Sequence, residues 1–151
     1  MSDAHDDAAV SALAVQIDEW LHQLQTSNPA IEAVDRTDDD PLRWYVRLRG
    51  DEKDHITVWL MLGQRTLRYE AYVMPAPEEN IAAVYESALR RNQTLVGLHF
   101  AIGVEDAVFL RGELPLVALT EAELDRIIGS LYATTEQSFR SLLRLGFASR
   151  F

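Results

Sequence analysis

Cysteine is absent from this chain of 151 residues, which excludes disulfides, thiolate catalysis and thiolate metal sites and fits a reducing compartment, the cytoplasm. Seven glycines and five prolines are too few for a disordered or fibrous chain. No stretch approaches the roughly 20 apolar residues of a membrane span. The first residues, Met1-Ser2-Asp3-Ala4-His5-Asp6-Asp7, are acidic where a secretory leader is basic. A formal net charge of -10 leaves no basic footprint for nucleic-acid phosphates. Catalytic motifs are lacking as well: there is no Gly-x-Ser-x-Gly, phosphate-binding glycine loop or dinucleotide fingerprint. His5, His22, His55 and His99 fall in different elements, without the i, i+2 or i, i+4 spacing of metal-ligand pairs. The expectation is a protein that is not an enzyme, with no cofactor, no metal, no nucleic acid and no membrane.

What is present describes one domain over residues 1–151. Hydrophobic residues make up 48% and charged residues 25%, an ordinary globular balance, and a chain of this length buries roughly 68–70% of its unfolded surface around a single core. The charge is segregated. Residues 1–40 hold ten acids against one base, Arg36, a net of -9, while the rest holds fourteen acids and thirteen bases. Residues 1–7 are expected to be disordered and 35–42 to form an acidic loop. Asp38-Asp39-Asp40-Pro41 reads as solvated loop, since like charges without a turn glycine do not match calcium-loop spacing. The acidic segment is complementary to the arginines farther along the chain and could cover them.

Val10, Leu13, Ile17, Trp20, Leu21 and Leu24 recur at helical spacing and predict an amphipathic helix over 8–26, capped by Asp6 or Asp7 and ended by Asn28-Pro29. Strand patterns at 44–49, 56–62 and 66–74, joined by Gly50-Asp51-Glu52-Lys53-Asp54 and Gly63-Gln64, predict an antiparallel meander. Pro77 with Glu78 and Glu79 suits the first turn of a second helix running to about Arg91, striped by Ile81, Val84, Tyr85, Ala88 and Leu89. A further hairpin, 95–102 with 107–114, turns through Gly103-Val104-Glu105-Asp106. Thr120-Glu121-Ala122-Glu123 is a capping box opening a third helix that stops at Gly146. The fold class is therefore α+β, in the order α-β-β-β-α-β-β-α, with a five-stranded antiparallel sheet and helices packed on one face.

The order of elements and several phrases resemble the YbjN family. The phrases are Ile56-Thr57-Val58-Trp59, Arg68-Tyr69-Glu70-Ala71-Tyr72-Val73-Met74-Pro75, Phe100-Ala101-Ile102-Gly103, Glu105-Asp106-Ala107-Val108 and Gly112-Glu113-Leu114-Pro115. They cover most of the chain from Trp44 onward. Members of that family look like type III secretion chaperones in fold and are labelled sensory-transduction regulators. Such chaperones are small acidic homodimers that hold an extended client segment without nucleotide. The resemblance thus implies a chaperone-like or regulatory homodimer that binds a protein partner, and it carries no catalytic residues over.

Strand alternation sorts the sheet into two faces. Trp44, Val46, Leu48, Ile56, Val58, Leu60, Leu62, Leu67, Tyr69, Ala71 and Val73 point to the core. Tyr45, Arg47, Trp59, Met61, Arg68, Tyr72, Phe109 and Arg111 point the other way, and aromatic, methionine and arginine side chains are the types enriched at interfaces. These eight residues are the candidate protein-binding site. Alternatively, Arg47, Arg68 and Arg111 pair across strands with Glu70 and Glu113 while the aromatics simply cover the sheet. A homodimer could also cover this face, as a purely structural dimer. Two further alternatives concern chemistry. A pocket between helix and sheet would use Tyr69, Tyr85 or Glu105, and the pair Glu105-Asp106 is read either as turn residues or as acid/base equipment.

Overall fold

The computed structural model describes residues 4–151, and the first helix in it starts from a single carboxylate. Asp6 accepts the Ala9 amide at 2.8 Å and opens α1 (Asp7–Ser27), which ends where the Asn28 amide returns to the Leu24 carbonyl. Of the stretch expected to be disordered, residues 1–3 lie outside the described residues. His5 donates its amide to the Gln64 carbonyl at 2.6 Å, and Asp6 and Asp7 build the helix start. α1 buries Ala14, Ile17 and Leu21.

The next element was not anticipated. β1 (Ile31–Thr37) occupies part of the expected acidic loop of 35–42, which narrows to the residues between Thr37 and Leu42. Its side chains explain the omission: Glu32, Asp35 and Arg36 give it no alternation, and only Ile31 is buried. It is an edge strand, so it needs neither two apolar faces nor a regular pattern. The sheet consequently has six strands, not five.

β2 (Leu42–Arg49), β3 (His55–Leu62) and β4 (Thr66–Met74) form the expected antiparallel meander, followed by α2 (Ile81–Asn92), β5 (His99–Ile102), β6 (Val108–Pro115) and α3 (Glu121–Gly146). Strand order is β1-β2-β3-β4-β6-β5. α2 begins later than Pro77 suggests. Asn80 sits at φ 50 and ψ 40 ahead of it, and the Glu78 and Glu79 amides donate to the Gly146 carbonyl at 3.0 and 2.9 Å. Residues 77–80 thus serve as a docking turn against the end of α3, and neither acid lies in the first turn of α2. The third helix opens as its sequence indicates, with the Thr120 hydroxyl accepting the Glu123 amide at 3.1 Å.

One face of this sheet makes the core. All eleven residues assigned to it by alternation are buried, together with Ile17 and Leu21 of α1, Val84 of α2, and Leu124, Ile127 and Leu131 of α3. The acidic first helix is therefore on the wrong side to cover the arginines of the other face. Its Asp18 accepts the Trp44 indole N–H at 2.8 Å and pairs with Arg36, whose guanidinium lies 5.5 Å from the Trp44 ring centroid. Displacing α1 would expose Ile17, Leu21 and Trp44, so hydrophobic burial holds it in place.

Two glycines test how the sheet and α3 are packed. A Cβ at Gly112 would press into the Gly97 carbonyl oxygen and the Tyr69 ring, whereas one at Gly129 of α3 meets nothing within 4 Å. Gly112→Ala is expected to destabilise by about 1–3 kcal/mol through overpacking, and Gly129→Ala to stabilise by about 1 kcal/mol by helix propensity. Urea unfolding of both variants measures the two signs.

Candidate functional site

The face away from the core is ordered by strand register into rows. Tyr45, Trp59, Glu70, Arg111 and His99 are successive cross-strand partners over β2, β3, β4, β6 and β5. A second row runs Arg43, Met61, Arg68 and Glu113, and a third holds Arg47 with Thr57 and Tyr72 with Phe109. All eight candidate residues thus come together on one face.

They do not play equal parts. Tyr45 and Trp59 meet edge to face at 5.9 Å and 81°, and Tyr72 and Phe109 at 5.6 Å and 82°. Phe109 is only 3% exposed. It lies under Gly103, where a Cβ would strike its ring, with Arg111 5.1 Å from its centroid, so it forms the floor of the face and not its contact layer. Arg111 donates to Glu70 at 2.9 Å, and that carboxylate is 12% exposed, a shielded pair. Arg68 and Glu113 are 3.7 Å apart and mostly exposed, a pair that contributes little. Arg47 has no carboxylate partner among the described residues. The cross-strand ion pairs therefore involve two of the three arginines.

Lys53, the chain's only lysine, belongs to this site although nothing in its neighbouring sequence marks it. Its ammonium donates to the Tyr72 carbonyl at 2.6 Å and lies 4.7 Å from the Tyr72 ring and 5.7 Å from that of Phe139. Burial lowers its pKa to about 8, with the Glu136 carboxylate opposing. Glu136 also accepts the amides of Asp51, Glu52 and Lys53 at 2.8, 2.9 and 3.2 Å, tying the β2–β3 loop to α3. The contacts that define Lys53 are supplied by residues remote in sequence.

Three depressions matter. One of about 490 Å³ lies beside the β5–β6 turn, walled by Trp59, Tyr72, Phe109, Phe147 and Val104, with Glu105 on it. Glu105 and Asp106 both stand at φ 58, a left-handed conformation costing roughly 1–2 kcal/mol per non-glycine residue. Burial, and then the Glu105 charge, raise the Tyr72 phenol pKa. A polar cleft of about 450 Å³ lies among Met61, Arg68, Glu70, His99, Arg111 and Glu113. An apolar groove of about 190 Å³ lies between α2 and β5, among Tyr85, Leu89, Phe100, Ile102 and Val108. The polar groups on which the alternative of a helix–sheet pocket draws are separated. Tyr69 borders the polar cleft and donates its hydroxyl to the Gly97 carbonyl, Tyr85 borders the apolar groove, and Glu105 the aromatic one. Among the described residues no three His, Asp or Glu converge as a metal set, and no helix is long and apolar enough to cross a membrane.

Comparison with known proteins agrees with this architecture. The family model for YbjN, described as "Putative bacterial sensory transduction regulator", matches residues 13–144. An uncharacterized protein of Mycobacterium tuberculosis and its counterpart in Mycobacterium bovis are 36% identical over 104 residues, covering 69% of this chain and 57% of theirs. An uncharacterized protein of Mycobacterium leprae is 30% identical over 128 residues, covering 85% of this chain and 70% of its own. The chain thus spans little more than half the length of the first two relatives. Among solved structures, a chain in the crystal structure of the ExsC–ExsE complex superposes with a TM-score of 0.50 at 23% identity, over 70% of this chain and 79% of that one. The likeness shows the fold, the expected type III secretion chaperone-like α+β arrangement.

The Lys53 environment has a consequence for stability against pH. Its folded pKa lies below its unfolded one, so between about 8 and 10.5 the unfolded chain holds more protons and stability must rise with pH. Tyr69, Tyr72 and Tyr132, whose pKa values burial raises, work in the opposite sense above pH 10, the value of an unburied phenol. Urea unfolding from about pH 7.5 to 10 should show wild type gaining stability relative to Lys53→Met. A pH-independent difference would mean that the ammonium is not desolvated.

Proposed function

The chain belongs to the YbjN family, and from that premise we propose that it is a non-enzymatic, chaperone-like or regulatory module of the cytoplasm that binds a protein partner and works as a homodimer. The observation that carries this reading is the uncovered sheet face. Tyr45, Trp59, Met61 and Tyr72 stay partly exposed there, beside the exposed Arg47 and Arg68, while α1, α2 and α3 are all committed to the opposite side. Partly exposed aromatics set among arginines are the composition of an interface centre. That the matched ExsC–ExsE chain was solved within a complex agrees with a binding role for the fold. A pocket for small-molecule chemistry finds less support, since Tyr69, Tyr85 and Glu105 do not converge.

A second copy has its own place to dock, leaving the sheet face free. Leu89 is 67% exposed and Ile102 52%, and both flank the apolar groove between α2 and β5. Strand addition at this edge is blocked: the Asn92 side chain accepts the Phe100 amide at 2.6 Å and donates to its carbonyl at 3.3 Å. Side-chain packing of α2 and β5 against their symmetry mates is therefore the contact that fits, an isologous patch of the kind dimers use.

Two measurements test these proposals. In capture from native extract, a protein retained by wild type is expected to be lost by a folded Trp59→Ala, Arg68→Glu variant, with binding weakened roughly 30-fold or more, as at an aromatic hot spot. Identical capture by both would remove the face from consideration. Sedimentation equilibrium should show Leu89→Glu with Ile102→Glu shifting a dimer to a folded monomer, and an unchanged mass would place the dimer contact elsewhere.

A further inference from the structure

The aromatic groove beside the β5–β6 turn is built for one kind of side chain. We propose that it receives a single arginine or lysine carried on an extended segment of a protein partner, with Glu105 as the counter-charge and Trp59 as the stacking surface. This rests on reading the outer sheet face as a protein-binding surface and names the chemistry of one subsite within it.

Three of the four rings walling the groove already hold one of the chain's own cations. Lys53 lies 4.7 Å from the Tyr72 ring, Arg111 5.1 Å from Phe109 and Arg150 5.6 Å from Phe147. The fourth, Trp59, contacts the Tyr45 ring and carries no cation among the described residues, although an indole is the strongest cation–π acceptor of the aromatic side chains.

The charged groups tell the same story. Glu78 on the groove's rim is taken by Arg150 at 2.9 and 3.1 Å, whereas Glu105 has neither hydrogen bond nor ion pair among the described residues. The groove therefore presents one unanswered negative charge above apolar walls. A basic side chain satisfies both features at once, its alkyl stem packing on Val104 and the rings while its head meets the carboxylate. A chain of net charge -10 also draws basic segments of other proteins toward it, which favours a foreign basic segment as the occupant.

NMR titration of the whole chain tests this, using the Trp59 indole resonance, assigned by its loss in Trp59→Phe. The probes are acetyl-Val-Arg-Val-amide and the same peptide with neutral citrulline in place of arginine. The arginine peptide is expected to bind about ten-fold more tightly, as one charge-assisted contact provides. In Glu105→Gln, and in Glu105→Gly, which relieves the left-handed backbone and so should fold at least as well, that preference should largely vanish. Equal affinities in wild type, a preference that survives Glu105→Gln, or a Trp59 line that moves with protein concentration alone would each overturn the subsite. If both peptides shift Tyr45, Trp59 and Tyr72 equally, the protein-binding face stands and only the subsite falls. If neither shifts them and Trp59→Ala with Arg68→Glu captures the same proteins as wild type, both fall together.

Discussion

A β-strand sends successive side chains to opposite faces, and that constraint is obeyed through β2 and β3 and along β4 as far as Val73, beyond which the register is irregular and Met74 is buried as well. Leu48, Ile56, Val58, Leu60 and Leu67 are at most 2% exposed on one side, while Arg47, Thr57, Trp59 and Arg68 occupy the other. Every helix must bury its apolar stripe somewhere, and only one face of the sheet is apolar throughout. α1, α2 and α3 therefore converge on it. The other face is left open by the same alternation, so the core and the candidate site are two consequences of one pattern.

The open face is held rigid from behind and from its ends. Lys53 reaches over the Tyr72 ring from a loop that Glu136 of α3 fixes by three backbone amides. The shielded Arg111–Glu70 pair and the buried Phe109 brace the centre. Preorganised aromatics lose little conformational freedom on binding, and that loss is one of the main costs of association. The groove beside Glu105 extends the same design to the turn, where two acidic residues are kept at positive φ although glycine would adopt that conformation without strain.

Legibility in the sequence followed the periodicity. The meander, the third helix with its Thr120 cap, and the division of side chains between two faces were readable because alternation and capping are local signals. β1 was not, since Glu32, Asp35 and Arg36 make it look like part of an acidic loop, and its strand character comes from pairing with β2. The start of α2 was misplaced because Pro77 and Glu78 mimic a helix opening, whereas the Gly146 carbonyl, far along the chain, claims the amides of Glu78 and Glu79. Charge segregation suggested that the first segment could cover the arginines. Ile17 and Leu21, fully buried, decided the opposite, because apolar burial outweighs attraction between solvated charges. Lys53 and the aromatic groove depend on contacts between remote elements and left no local trace.

The two edges of the sheet restrict how a partner can bind. β1 presents Glu32, Asp35 and Arg36 with an irregular register between Ile31 and Ala33, features that discourage an added strand. At the other edge β5 is four residues long, and the backbone of Phe100 is already engaged by Asn92. Extension of the sheet by a partner's backbone is thus opposed at both ends. For the proposed partner and the proposed second copy this leaves side-chain contacts, on the aromatic and arginine face and on the Leu89–Ile102 patch. Side-chain recognition on a face selects partners by chemistry, whereas backbone pairing at an edge accepts nearly any extended segment. Selective binding through side chains is what the proposed chaperone-like or regulatory role would require of an acidic chain with unextendable edges and an aromatic face.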